Sequence, residues 1–222
     1  MVHNLYQMLN KKLKLVQTLP YFTKNTLRTI SSDLDNTLDV SIRRMLGRGQ
    51  LIKLKNGFYT TEYYFNKNGH KPEYREFISS VLSQPSYLSL EYVLGKYDIL
   101  TEETQAFTAI TLKSSRSYEN KLGSFLYKNI PESFFVGFEA RIFAHNTYLI
   151  ASKAKALFDY LYSLSSVLDL SVDGYDVVEE RRLKIELLNH NDWDEFSTYL
   201  RIKKGKKASL IKEKLKKYAP NL

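Results

Sequence analysis

Arg43, Arg44 and Arg48 lie within six residues and are the side chains best suited to a specific task. A planar guanidinium donates two parallel hydrogen bonds, which fits guanine O6 and N7 or a pair of phosphate oxygens. Lys53, Lys55 and Asn56 come a few positions later. A second basic group lies near the end: Arg201, Lys203, Lys204, Lys206 and Lys207, then Lys212, Lys214, Lys216 and Lys217. Lysine ammonium groups suit phosphate as point charges. The acidic residues suggest less. Glu102-Glu103 sits in an expected turn. Glu179-Glu180 adjoins Arg181-Arg182, where local ion pairing is explanation enough. Asp192, Asp194 and Glu195 fall at an expected helix start and favour its dipole. None of His3, His70, His145 and His190 has a second ligand at metal-binding spacing. There is no Gly-Lys-Ser/Thr phosphate loop, no Gly-x-Gly-x-x-Gly and no Gly-x-Ser-x-Gly. With no Cys, thiolate nucleophiles, thiolate metal sites and disulfides are excluded together. The expectation is a binding protein with no catalytic residue, no metal and no cofactor.

The arginines need a helix to present them. Asn36 can cap one that runs to about Gly47 or Gly49. At about 100° per residue, Leu38, Ile42, Met45 and Leu46 form an apolar stripe. Thr37, Val40, Arg43, Arg44 and Gly47 point the other way, with Ser41 and Arg48 on a flank. Three arginines alone also fit an ordinary solvated face. The residues after the helix favour recognition. Leu51-Ile52-Lys53-Leu54-Lys55, Asn56-Gly57 and Phe58-Tyr59-Thr60-Thr61 read as a tight hairpin. A two-residue turn with positive φ at both positions would pair Leu54 with Tyr59 and Lys53 with Thr60. Ile52, Leu54 and Tyr59 would then face inward, and Lys53 and Lys55 outward. Upstream, Leu5, Met8, Leu9, Leu13 and Val16 recur at helical spacing. Thr23 can cap a short helix carrying Leu27 and Ile30.

Helix, helix, basic helix and basic hairpin, in that order, describe a winged helix-turn-helix over residues 1–68. Its expected ligand is double-stranded DNA. Thr37, Ser41, Arg43 and Arg44 would face the major groove. Lys53, Lys55 and Asn56 would lie against the backbone or minor groove. Arg48, Lys203, Lys204, Lys206 and Lys207 would add phosphate contacts.

The charge distribution agrees with this reading without requiring it. Residues 1–70 hold 11 Lys+Arg against 4 Asp+Glu, residues 71–200 hold 13 against 19, and residues 201–222 hold 9 against 1. Basic ends attract phosphate, but they also keep a protein soluble; for the tail a second nucleic-acid contact is favoured, with a partner's acidic surface as the main competitor. The stretch 66–72, rich in turn formers, reads as a linker between residues 1–68 and a second domain over 72–222. That second domain opens with a helix near Glu73–Leu82 and a helix over 87–97 capped by Ser86. Strands are expected over 107–112, 121–130, 134–143 and 147–151. Helices come next over 153–162 (capped by Ser152), 176–188, 192–202 and 206–218. Strands and then helices predict an α+β fold, mixed in its C-terminal domain and ending in helices. Polar residues interrupt the N-terminal apolar ones, and no apolar run approaches the ~20 residues that cross a bilayer. A cytoplasmic protein with no membrane partner is expected.

Two stretches resemble the AbiEi-type antitoxins, transcriptional regulators of type IV toxin–antitoxin (abortive infection) systems. One is Ile42–Tyr59, similar to that family's recognition helix and wing. The other combines Ser86–Leu94 with Leu149–Tyr162, similar to part of its antitoxin domain. The family often carries Pro-Glu where this chain has Lys153-Ala154. The resemblance covers most of residues 1–165 and implies three things. The protein would bind repeats in its own promoter and repress its operon. Its C-terminal domain would counteract a toxin. That toxin would be nucleotidyltransferase-like, with or without direct contact. Two other functions stay open: a stand-alone winged-helix transcription factor with a ligand-sensing C-terminal domain, and an enzyme acting on nucleic acid.

Overall fold

A computed structural model describes residues 13–30, 35–101, 104–164, 174–202 and 205–220, with only the backbone of residues 35 and 36. The architecture is mixed α+β and divides into two compact units. The first unit takes the chain up to Ile78 together with Tyr118–Ser124. The second takes Ser79–Ser117 and everything from Phe125 onward.

In the first unit, residues 13–16 are helical, while the rest of the expected first helix lies outside the described residues. A short strand, β1 (Phe22–Thr23), leads into helix α1 (Lys24–Ile30). Thr23 caps α1 as expected. Its hydroxyl accepts from the Thr26 N–H at 3.2 Å, and the Thr23 N–H donates back to the Thr26 hydroxyl at 3.2 Å. Helix α2 (Asp35–Gly47) precedes strands β2 (Leu51–Lys55) and β3 (Phe58–Thr61). The three strands form an antiparallel sheet of order β1-β3-β2. Val16, Phe22, Leu27, Leu38, Ile42, Met45, Leu51 and Tyr59 make one buried cluster between sheet and helices.

The expected hairpin register is off by one. Lys53 lies opposite Tyr59 and Ile52 opposite Thr60, while Lys55 lies opposite Phe58. Leu54 is the extra residue of a bulge between them. The turn also needs only one positive φ, at Gly57 (78°). Leu51, Ile52 and Leu54 are all buried; Leu51 joins the cluster that holds Tyr59, and its neighbour Ile52 is buried outside that cluster, so both faces of β2 are covered.

The expected linker is not one. Thr61 caps helix α3 (Glu62–Asn68), and three residues separate it from helix α4 (Pro72–Leu82). Between them the polar groups are used. Asn68 Nδ2 donates to the Tyr64 carbonyl (3.2 Å), Lys71 Nζ to Asn68 Oδ1 (2.9 Å) and Arg75 Nε to the Gly69 carbonyl (2.7 Å). The turn formers of 66–72 close one helix and open the next. Tyr74, fully buried on α4, donates to the Pro20 carbonyl at 2.7 Å and pairs with the Thr60 hydroxyl at 3.1 Å. Burial holds its phenol well above the usual tyrosine range.

The second unit is built on a six-stranded sheet. Its strands are β4 (Ser86–Leu88), β5 (Ala106–Thr111), β6 (Arg116–Asn120), β7 (Gly123–Asn129), β8 (Phe138–Phe143) and β9 (Asn146–Ala151), in the order β6-β7-β5-β4-β9-β8. The tip of the β6–β7 hairpin is the segment that belongs to the first unit. Helices α5 (Leu90–Lys96), α6 (Lys153–Ser163), α7 (Val177–Glu180), α8 (His190–Ile202) and α9 (Lys206–Leu215) complete it.

Three expectations fail here. Ser86 does not cap a helix but starts β4, which pairs antiparallel with β5; the helix waits for Ser89. The expected helix 176–188 stops at Glu180. Arg182 takes a positive φ (49°), and Leu183 bridges to Leu100 while the Lys184 N–H donates to the Ile99 carbonyl at 2.8 Å. Tertiary pairing there overrides helical propensity. Finally, β6 was not expected at all.

Candidate nucleic-acid interface

Helix α2 sorts its residues by face. Leu38, Ile42 and Met45 are buried, whereas Thr37, Val40, Arg43, Arg44, Gly47 and Arg48 are exposed. Ser41 departs from expectation: it is only 4% exposed. Its position is three residues after Leu38 and four before Met45, which puts it on the apolar stripe and out of reach of a ligand. Gly49, at φ 73°, ends the helix in the left-handed conformation, and the Gln50 N–H donates back to the Met45 carbonyl at 2.9 Å. This sharp stop sends the chain directly into β2, so the hairpin stands beside the helix that carries the arginines.

On the hairpin, Lys53 and Asn56 are exposed. Lys55 is half-buried, with its ammonium 3.9 Å from the centre of the Phe58 ring and 6.0 Å from that of Tyr118. These rings hold it along the hairpin rather than extended into solvent. Lys24 pairs with Asp39 at 2.8 Å, which offsets a carboxylate of α2 that would repel an anion. The Lys24 N–H also donates to the Gly57 carbonyl at 3.0 Å and ties α1 to the hairpin turn.

The segment Tyr118–Ser124 was not expected here. Asn120 Nδ2 donates to the Leu54 carbonyl at 3.0 Å, at the bulge. Between this segment and the β2 side of the hairpin lies a groove of about 740 Å³, lined among others by Gly49, Lys53, Lys55, Asn56, Tyr118 and Lys121. No local sequence signal pointed to this pairing, because the two segments are more than sixty residues apart.

No protein-family model matches this chain, and no curated protein sequence matches it.

The basic tail divides. Lys203 and Lys204 lie outside the described residues. Lys206 is exposed at the start of α9. Lys207 was expected to contact phosphate, but its ammonium donates to the Leu164 carbonyl at 2.7 Å and sits over the Tyr162 ring. Burial, aided by nearby Lys128, lowers its pKa. It is a packing lysine. Ala208, Ile211 and Leu215 anchor the rest of α9.

One polar cluster was missed. Lys155 and Asp159, on α6, are both 0% exposed, with Lys155 Nζ 2.6 Å from Asp159 Oδ1. Asp159 Oδ2 also accepts from Tyr87 (3.0 Å) and Ser89 (2.7 Å). Nearby, Glu195 accepts from both Ser152 and Tyr199. Burial lowers the Lys155 pKa and raises that of Asp159, and the pair's attraction opposes both shifts. Burial and Asp159 together hold the Tyr87 phenol far above its usual range. Closed to solvent, the cluster cannot act on a substrate. It ties α6 to β4. The readable signal was two opposite charges four apart on a helix buried from Ala154 to Leu161.

Among the described residues, no group of three or more His, Asp or Glu is arranged to hold a metal, and no helix is long and apolar enough to cross a membrane.

Proposed function

We propose that this chain is a winged-helix DNA-binding protein of the cytoplasm that represses its own promoter and serves as the antitoxin of a type IV system. The observation that carries the DNA reading is the arrangement of α2 and the hairpin: exposed Arg43 and Arg44 stand directly before exposed Lys53 and Asn56. The element order helix, β1, α1, α2, β2, β3 with sheet order β1-β3-β2 also supports it. In this reading α2 enters the major groove, Arg44 with Arg43 and Thr37 reads base edges, and Lys53, Asn56 and Arg48 hold phosphates. The antitoxin reading, with a nucleotidyltransferase-like toxin as functional partner, rests on the resemblance of Ile42–Tyr59, Ser86–Leu94 and Leu149–Tyr162 to that family. The reading involves no catalysis by this chain.

A titration against the protein's own promoter repeats tests the DNA reading. Arg44→Ala lowers specific affinity by about 1–3 kcal/mol, and Lys53→Ala weakens specific and random duplexes alike while reducing the salt slope by about one. Unchanged affinity after Arg44→Ala would remove α2 from the interface. Co-expression with the neighbouring gene in a growth assay tests the antitoxin reading.

A second reading, a ligand-sensing regulator, draws on one feature of the second unit. An open cleft of about 630 Å³ is lined by Thr101, Val178, Arg182, Trp193 and Tyr218, among others.

A further inference from the structure

β8 closes one end of the six-stranded sheet, and among the described residues no strand pairs with its outer edge. An exposed edge usually carries a device against pairing: a proline, charged side chains (lysine above all), a bulge or very short length. β8 has no proline, lysine or bulge, and its two charges, Glu139 and Arg141, are of opposite sign. It runs six residues as Phe138-Glu139-Ala140-Arg141-Ile142-Phe143, in unbroken register with β9 from Phe138–Ala151 to Phe143–Asn146. Ile142, at 75% exposure, is the most exposed of the described large hydrophobic residues.

The hairpin turn fixes which backbone groups face outward. Ala144 and His145 both have positive φ, 46° and 64°, as in a two-residue type I′ turn. In such a turn the flanking residues, Phe143 and Asn146, bond to each other. By alternation Arg141 and Glu139 also direct their amides toward β9, and Phe138, Ala140 and Ile142 direct theirs away from the sheet.

The strand is self-complementary about Ala140. When a second copy runs antiparallel with Ala140 opposite Ala140, each Glu139 falls opposite an Arg141 on one face. Each Ile142 falls opposite a Phe138 on the other. The directly opposed pairs that would exchange hydrogen bonds are then those formed by residues 138, 140 and 142, whose amides point outward. The neighbouring registers fail on charge. One sets Arg141 opposite itself and the other sets Glu139 opposite itself, and like charges directly opposed are unfavourable. Within one chain Glu139 and Arg141 already pair at 2.5 Å, and Arg141 also hydrogen-bonds Tyr97; both charged side chains stay about half exposed, so each can take a further partner without desolvation at depth.

We propose that this chain forms a twofold homodimer through its β8 edges, in the register that sets Ala140 opposite Ala140. The dimer does not depend on the DNA reading. It is an isologous contact, so each residue pair across it occurs twice except the Ala140 pair, which lies on the axis.

Sedimentation velocity on the full-length protein tests it. The wild type sediments as a dimer. Arg141→Glu and Glu139→Arg each sediment as monomers, because each places like charges opposite one another twice. An equimolar mixture of these two variants returns to the dimer, since one copy then offers only carboxylates and the other only guanidinium groups. The double variant E139R/R141E is a dimer by itself. Thermal melting by circular dichroism verifies that each variant is folded. If a charge variant does not fold, Ile142→Lys, at an exposed side chain, gives the same loss of dimer. A wild type that stays monomeric overturns the proposal. So does a dimer that survives both single charge substitutions, or a mixture of the two that stays monomeric.

Discussion

Lys155 and Asp159 are the residues where a single substitution has the clearest consequence. Removing one partner of a buried ion pair leaves an uncompensated charge in a low-dielectric interior, which typically costs about 3–5 kcal/mol. Lys155→Met therefore lowers the stability of the second unit by roughly that amount, read from urea unfolding. Replacing both groups, as K155M/D159L, removes the charge along with its partner. The double variant is more stable than Lys155→Met alone, though Tyr87 and Ser89 then lose their acceptor. A double variant no better than the single one would mean that the ion pair matters less than the two hydroxyl contacts. At the same scale, Ser41 and Lys207 are both types that mostly face solvent. Their burial comes from helical position and from a carbonyl within reach, Leu164 in the second case.

At the scale of elements, the hairpin depends on a partner distant in sequence. Asn120 bonds through its amide to the Leu54 carbonyl, and its own side-chain oxygen accepts from the Leu122 N–H at 2.8 Å. Asn120→Ala breaks both bonds, worth about 1–2 kcal/mol together at typical net values. Amide exchange over Leu51–Lys55 becomes faster in that variant; unchanged protection would mean that the hairpin stands without the brace. Much of this level was legible in advance. α2, the hairpin, β5, β9, α6 and α9 were expected close to where they lie, because helical spacing, Asn56-Gly57 and the Ser152 cap act locally. What local pattern could not carry was set by distant chain. The bulge at Leu54 shifts the register by one. β6, Arg-Ser-Tyr-Glu-Asn, is polar and mostly exposed, so it shows no alternation to read. Ser86 reads locally as a cap, and only the pairing of β4 with β5 and β9 makes it a strand residue instead. For the site, the exposure of Thr37, Arg43, Arg44, Arg48, Lys53 and Asn56 was legible from periodicity. The groove with Tyr118 and Lys121 was not.

For the whole molecule, the units do not divide where composition changes. The first unit needs Tyr74 on α4, which bonds to Pro20 and Thr60, and it needs Tyr118–Ser124. A fragment of residues 1–68 lacks both. Its melting transition falls well below that of the N-terminal unit in the full chain and is broad. A sharp, unshifted transition for the fragment would mean that residues 1–68 fold alone. A chain that leaves a unit and comes back to it also constrains synthesis. Domains usually fold from the N-terminus as they leave the ribosome. Here the first unit is finished only after Ser124 has been translated, so a truncated product that ends before the β6–β7 turn leaves the ribosome with its arginine helix and hairpin still unbraced.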